Sequence, residues 1–148
     1  MNKTIKELAV ELTVEITEIC DKIKGRNAFV NQILRSCSSI GANSYEAKYA
    51  QSTADFVSKL EIALKECYET DYWLEILVKV KAIDDETYKR LSNKCGAIRR
   101  KLISAITTAK TNKQEISRRV VRGISLTEGA ISLLQSRNIA NSIEFISL

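Results

Sequence analysis

Four cysteines, three glutamates and two groups of cations are the side chains of this 148-residue chain whose chemistry could do work. Cys20, Cys37, Cys67 and Cys95 could bind zinc as four thiolates, or one could act as a reactive thiol. No CxxC spacing joins them, and each falls at or beside an apolar position, so they read as reduced thiols that fill a core. Glu46, Glu66 and Glu69 sit beside apolar residues and could form a carboxylate metal site. The chain has no histidine, however. Its absence removes His-based acid–base catalysis, Ser-His and Cys-His pairs, imidazole zinc sites and the Glu-x-x-His di-iron pattern of helical bundles. The glutamates are therefore expected to pair with Arg35, Asn43 or tyrosines on facing helices. Arg35 and Glu46 are separated by about three helical turns, so each should reach a different helix or subunit. No glycine-rich phosphate loop is present among only five glycines. The residues predict neither an enzyme, nor a metal site, nor a cofactor.

Cations and aromatics are the better functional lead. Lys89, Arg90, Lys94, Arg100 and Lys101 recur along one helical segment, with Arg90, Lys94 and Lys101 on one side of its apolar seam. Arg118, Arg119 and Arg122 form a second cluster. The net charge of +5 is compatible with a nucleic-acid partner but does not require one, and a solvated charged face is the default reading. Tyr68, Tyr72 and Trp73 could stack on bases. Trp73 extends an apolar flank, which instead favours its burial in the core or at a subunit contact, with Tyr72, Trp73 and Ile76 as the expected oligomer interface.

The elements that would position these groups are helical. There is no proline, hydrophobic residues make up 45% and charged residues 28%. Thr4 and Glu7 form a capping box ahead of Ile5, Leu8, Leu12, Ile16, Ile19 and Ile23, with Gly25 placed as a left-handed cap. A second helix from Asn27 to about Ala50 carries Val30, Ile33, Cys37, Ile40 and Ser44, with many small residues in its middle. Ser52 caps a third, whose stripe is Phe56, Leu60, Ala63, Cys67, Thr70, Leu74 and Leu77. A fourth begins at Asp84, with Ile83 and Tyr88 as a hydrophobic staple and a seam of Tyr88, Leu91, Cys95, Ile98, Leu102, Ala105 and Ala109. The pattern predicts an all-α, antiparallel up-down-up-down four-helix bundle over 1–111. A C-terminal extension follows over 112–148, where Ser125 and Glu128 could cap a short helix ahead of an apolar tail. The charged N-terminus does not read as a signal peptide and no run is long enough to span a membrane, so a cytoplasmic location is expected.

The segment from Arg35 to Ala47, with Asp55–Leu60 and Ile62–Leu74, resembles the bacterial family of 23S ribosomal RNA intervening-sequence proteins. The resemblance covers about residues 5 to 111. It implies a four-helix bundle assembled as a ring-shaped homopentamer, with no enzymatic activity. It also implies kinship with the accessory variability determinant of diversity-generating retroelements, a basic bundle that binds a reverse transcriptase and nucleic acid. Five copies would carry a charge of about +25 and attract phosphates by counterion release. The function expected is therefore that of an accessory protein binding structured RNA, DNA or a ribonucleoprotein component such as a reverse transcriptase. The phosphate contacts would be Lys89, Arg90, Lys94, Arg100, Lys101, Arg118, Arg119 and Arg122. The alternative is a protein-interaction scaffold that never touches nucleic acid.

Overall fold

The computed structural model describes residues 3–121, which form four α-helices. Helix α1 spans Ile5–Cys20, α2 Asn27–Ala47, α3 Thr53–Lys79 and α4 Asp85–Val121. Three of the four starts are fixed by side chains. The Thr4 hydroxyl accepts from the Glu7 amide at 3.0 Å while the Glu7 carboxylate accepts from the Thr4 amide at 2.8 Å, completing the capping box. Ser52 accepts from the Asp55 amide and Asp84 from the Thr87 amide. Helix α2 has no side-chain cap. Its entry is tied down instead by Arg26, whose guanidinium donates to the Val80 carbonyl at the end of α3.

Neighbouring helices run antiparallel throughout. Thr13 of α1 reaches Cys37 of α2, while Ala9, one turn earlier, lies against Gly41, one turn later. Arg35 pairs with Glu69 and, later on α2, Glu46 pairs with Lys59, earlier on α3. Asp71 of α3 meets Arg99 of α4, and Glu61 meets Lys110. Glu15 of α1 meets Arg90 and Glu11 meets Lys94. Each helix touches the next and α1 returns to α4, which is the closed square of an up-down-up-down bundle.

The apolar stripes meet in a single core. All seven stripe positions of α3 and six of the seven of α4 are buried, with Tyr88 half-buried. On α1 the centre of burial is Ile5, Ala9, Leu12, Ile16 and Cys20, with Leu8, Ile19 and Ile23 at its edge. All four cysteines are buried and unbridged. Burial pushes the Cys20 and Cys37 thiols up to about 11, and Cys95, hydrogen-bonded to Cys67 and buried, is raised further.

Two boundaries differ from the sequence reading. Helix α1 ends at Cys20, and the chain leaves it through tight turns closed by Lys22 and Ile23. Gly25 does take a positive φ of 73°, but in the connection to α2 and not at the helix end. At the other end, α4 runs unbroken to Val121, past residue 111, because nothing in that stretch breaks a helix. Its last buried side chain among the described residues is Ala109. The remaining 12 residues therefore carry the helix about 18 Å beyond the core. Arg122 and the capping pair Ser125 and Glu128 lie outside the described residues.

Helix α3 closes with a Schellman turn. The Ala82 amide donates to the Leu77 carbonyl and the Lys81 amide to Val78, which places Lys81 in the left-handed region at φ 54°. A lysine there is strained by its Cβ, so Lys81→Gly should stabilise the fold by about 0.5–1 kcal/mol in urea unfolding.

The thiols set a second expectation. Below pH 9.0, the ordinary thiol value, both folded and unfolded chains keep Cys20 and Cys37 protonated and their contribution is complete. Between there and about 11 the unfolded chain loses those protons and the fold does not, so stability falls as pH rises. A Cys20→Ala/Cys37→Ala variant should show a shallower alkaline decline in thermal melts than the parent chain.

Candidate nucleic-acid interface

The bundle sorts the cations of α4 into two sets. Arg90 and Lys94 face α1, where both pair with Glu15 and Lys94 also lies 3.7 Å from Glu11. Lys101, half-buried on that same side, is not free either. Arg90 and Lys94 stitch α4 to α1, and their charge is largely offset before any ligand arrives. Lys89, Arg100 and Arg118 are exposed and have no acidic partner among the described residues. They fall eleven and eighteen residues apart, close to three and five whole turns, so they form one line on the side of α4 away from the core. Arg119 falls within α4, with its side chain outside the description.

A second charged system joins α2, α3 and α4. Arg35 pairs with Glu69 and stands 3.6 Å from Glu66. Partial burial pushes the Glu69 carboxyl up, but hydrogen bonds from Arg35 and from the Trp73 indole, with the Arg35 charge, hold it below the ordinary glutamate value. Asp71 binds Arg99 at 2.7 Å, and that guanidinium lies 5.1 Å from the centre of the Tyr68 ring. Glu46 pairs with Lys59. The three glutamates singled out by the sequence thus serve as ion-pair partners, each reaching across from α2 to α3 or back. Asn43 instead donates to the Ser39 carbonyl within its own helix. Among the described residues no three His, Cys, Asp or Glu side chains gather as they would around a metal ion.

The aromatic positions divide in the same way. Trp73 is half-buried, stacks on Phe29 at 6.0 Å and meets Tyr72 edge-on at 5.0 Å. Its ring is consumed largely within the protomer, at the α2–α3 contact. Tyr72 is exposed and Ile76 half-buried beside it.

The sequence reading passed over one face. Val10 and Val14 of α1, Tyr45 of α2 and Tyr49 in the turn after it are four of the eight large apolar or aromatic side chains exposed among the described residues. The signal was present as two i, i+4 pairs lying off the core stripe, but only the packing of α1 against α2 sets Val10 and Val14 in one groove with Gly41 and Ala42 and brings Lys6 over the Tyr45 ring. At the opposite end of the bundle, an open cleft of about 770 Å³ is lined by Ile19, Ile23, Val78 and Ile83 with Lys22, Lys79 and Lys81. No helix among the described residues is long and apolar enough to cross a membrane.

Comparison with known proteins agrees with this architecture. Residues 1–104 match the family described as 23S rRNA-intervening sequence protein. A crystal structure from Bacteroides thetaiotaomicron, of a protein of unknown function from the S23 ribosomal protein family, is 43% identical. It covers 70% of this chain and 99% of its own, with a TM-score of 0.66. No curated protein matches. With the family match spanning most of the bundle and a close structural relative sharing its helices, the chain belongs to the 23S rRNA-intervening sequence protein family.

Proposed function

We propose that the protein is a non-catalytic accessory module that holds structured RNA by its phosphates and acts as a ring of identical copies. The observation that carries this reading is the line of Lys89, Arg100 and Arg118 on the outer side of α4. Most of the other interhelical cations are matched to a carboxylate, whereas this line has none among the described residues. Unmatched guanidinium and ammonium groups in register suit a polyanion, and releasing its counterions supplies much of the binding free energy. The family is named for sequences intervening in 23S rRNA, which favours RNA over DNA as the partner. A protein that handles RNA, such as a reverse transcriptase, is a further partner consistent with the same surface. Arg90, Lys94 and Lys101 take a supporting part, because Arg90 and Lys94 share their charge with Glu15 and Lys101 is half-buried.

Assembly would multiply the effect. Five copies would set the α4 lines around one axis, with Tyr72 and Ile76 at the contacts and Trp73 behind them. The exposed Tyr72 and Ile62 on α3 also favour a second reading, a scaffold that grips protein through this face. Salt separates the two, since apolar contacts hardly weaken as phosphates are screened.

The test is a salt titration of binding to a structured RNA, with the oligomer mass followed in the same samples. Lys89→Glu/Arg100→Glu should weaken binding by about a hundredfold and flatten the salt dependence. Unchanged binding by that variant would overturn the assignment. Glu15→Gln makes the opposite forecast. It releases Arg90 and leaves Lys94 only its longer contact with Glu11, so RNA affinity should rise and its salt dependence steepen, while stability falls by about 1 kcal/mol because Glu15 and Lys94 are only partly exposed.

A further inference from the structure

The α1–α2 face carries a different kind of surface from the α4 line. Tyr45, in the last turn of α2, and Tyr49, in the turn that follows the helix, are 47% and 69% exposed. Their rings meet edge-on at 5.4 Å and their hydroxyls lie 3.2 Å apart, so each fixes the other's position. From α1, the Lys6 ammonium sits 5.4 Å from the centre of the Tyr45 ring and has no carboxylate partner among the described residues. One turn along both helices the surface continues as a shallow groove of about 280 Å³, lined by Val10, Val14, Ser38, Gly41 and Ala42. Isolated exposed apolar residues are ordinary, but four large ones on a single face mark a contact surface.

The charges on this face indicate what it contacts. Glu7 is occupied by the capping box and Glu46 by Lys59, so the acids closest in sequence to these tyrosines and Lys6 are already engaged. What remains open is two aromatic rings, a cation held over one of them, and an apolar floor. A protein helix would use the floor but has no particular use for the cation. A nucleic-acid strand with unstacked bases uses all three: rings for the bases, the ammonium for a phosphate, the groove for a sugar or base edge. The position also fits. Because α1 and α4 are antiparallel, the N-terminal turn of α1 and the C-terminal turn of α2 lie at the end of the bundle from which α4 projects, with Lys113 and Arg118 exposed on it.

We infer that Tyr45, Tyr49 and Lys6 form a stacking site for unpaired nucleobases, by which the protein recognises a single-stranded stretch next to the structured RNA held along α4. This rests on the RNA-binding reading above and adds to it a preference for unpaired over paired segments. Both rings are exposed at the surface, and any of the four bases offers the face they need.

The experiment measures binding of the full chain to a short oligouridylate and to a fully paired hairpin RNA. It compares the parent protein with Tyr45→Ala/Tyr49→Ala, Tyr45→Phe/Tyr49→Phe and Lys89→Glu/Arg100→Glu. Both tyrosines are exposed, and melting curves confirm that each variant folds. The expected result is a loss of about tenfold per ring on oligouridylate in the alanine variant, with little change on the hairpin and with binding retained by phenylalanine, which keeps the π faces. Parent-like binding of oligouridylate by the alanine variant, or equal loss on both RNAs, overturns the stacking site. If Lys89→Glu/Arg100→Glu still loses RNA in that case, the phosphate-binding reading stands without it. A change of oligomer mass in the alanine variant with RNA binding intact assigns the face to contact between copies and overturns the site. No binding of either RNA by the parent protein at low salt removes both readings together.

Discussion

The seam that α2 presents to its neighbours is narrow and partly polar, and the bundle closes only because every hydroxyl in that seam is satisfied close to home. Ser36 and Ser44 are fully buried, and each donates to a carbonyl of its own preceding turn, Ile33 and Ile40 respectively. Thr70 of α3, also buried, places its hydroxyl 2.9 Å from both Ser36 Oγ and the Glu66 carbonyl. On the other side the Thr13 hydroxyl reaches the Cys37 carbonyl at 3.2 Å, which brings the backbones of α1 and α2 close. A serine-rich helix has modest intrinsic stability, so α2 relies on these neighbours to stay helical. Leaving any of the buried hydroxyls unpaired would cost about 1–3 kcal/mol, a large part of the stability of a chain this size.

That same register determines the electrostatics. Once α2 is fixed against α3, Arg35 must fall beside Glu69 and Glu46 beside Lys59. Once α4 is fixed against α1, Glu15 is offered to both Arg90 and Lys94. Partly exposed pairs of this sort add little stability each. Their larger consequence is subtraction. They remove cations from the pool available to a polyanion and leave Lys89, Arg100 and Arg118 as the unmatched line.

The four-helix architecture was legible because each helix repeats apolar residues at steps of three and four, and the repeat survives any choice of partner. The seam from Phe56 to Leu77 and that from Leu91 to Ala109 are buried as their spacing demands. The caps at Thr4, Ser52 and Asp84 are local as well, since a side chain and an amide three residues away are all they need. Gly25 was less legible. Glycine marks a positive φ but not which turn needs it, and α1 ends five residues earlier, at Cys20. Lys81 gave no signal at all, because a lysine in a left-handed cap looks like any other lysine until the turn from α3 to α4 is built.

The sequence by itself determined the helices, their order, the four core thiols and the absence of imidazole chemistry. Each of these follows from residue type and from spacing within a single helix. Only the tertiary structure decided which cations are spent and which remain, that Val10 and Val14 meet Gly41 and Ala42 in one groove, and that Lys6 of α1 sits over the Tyr45 ring of α2. The physical reason is the same in each case. A charge is neutralised, or an aromatic ring joins a surface, according to what stands a few ångströms away on another helix. That distance depends on how two helices cross, which neither helix encodes alone.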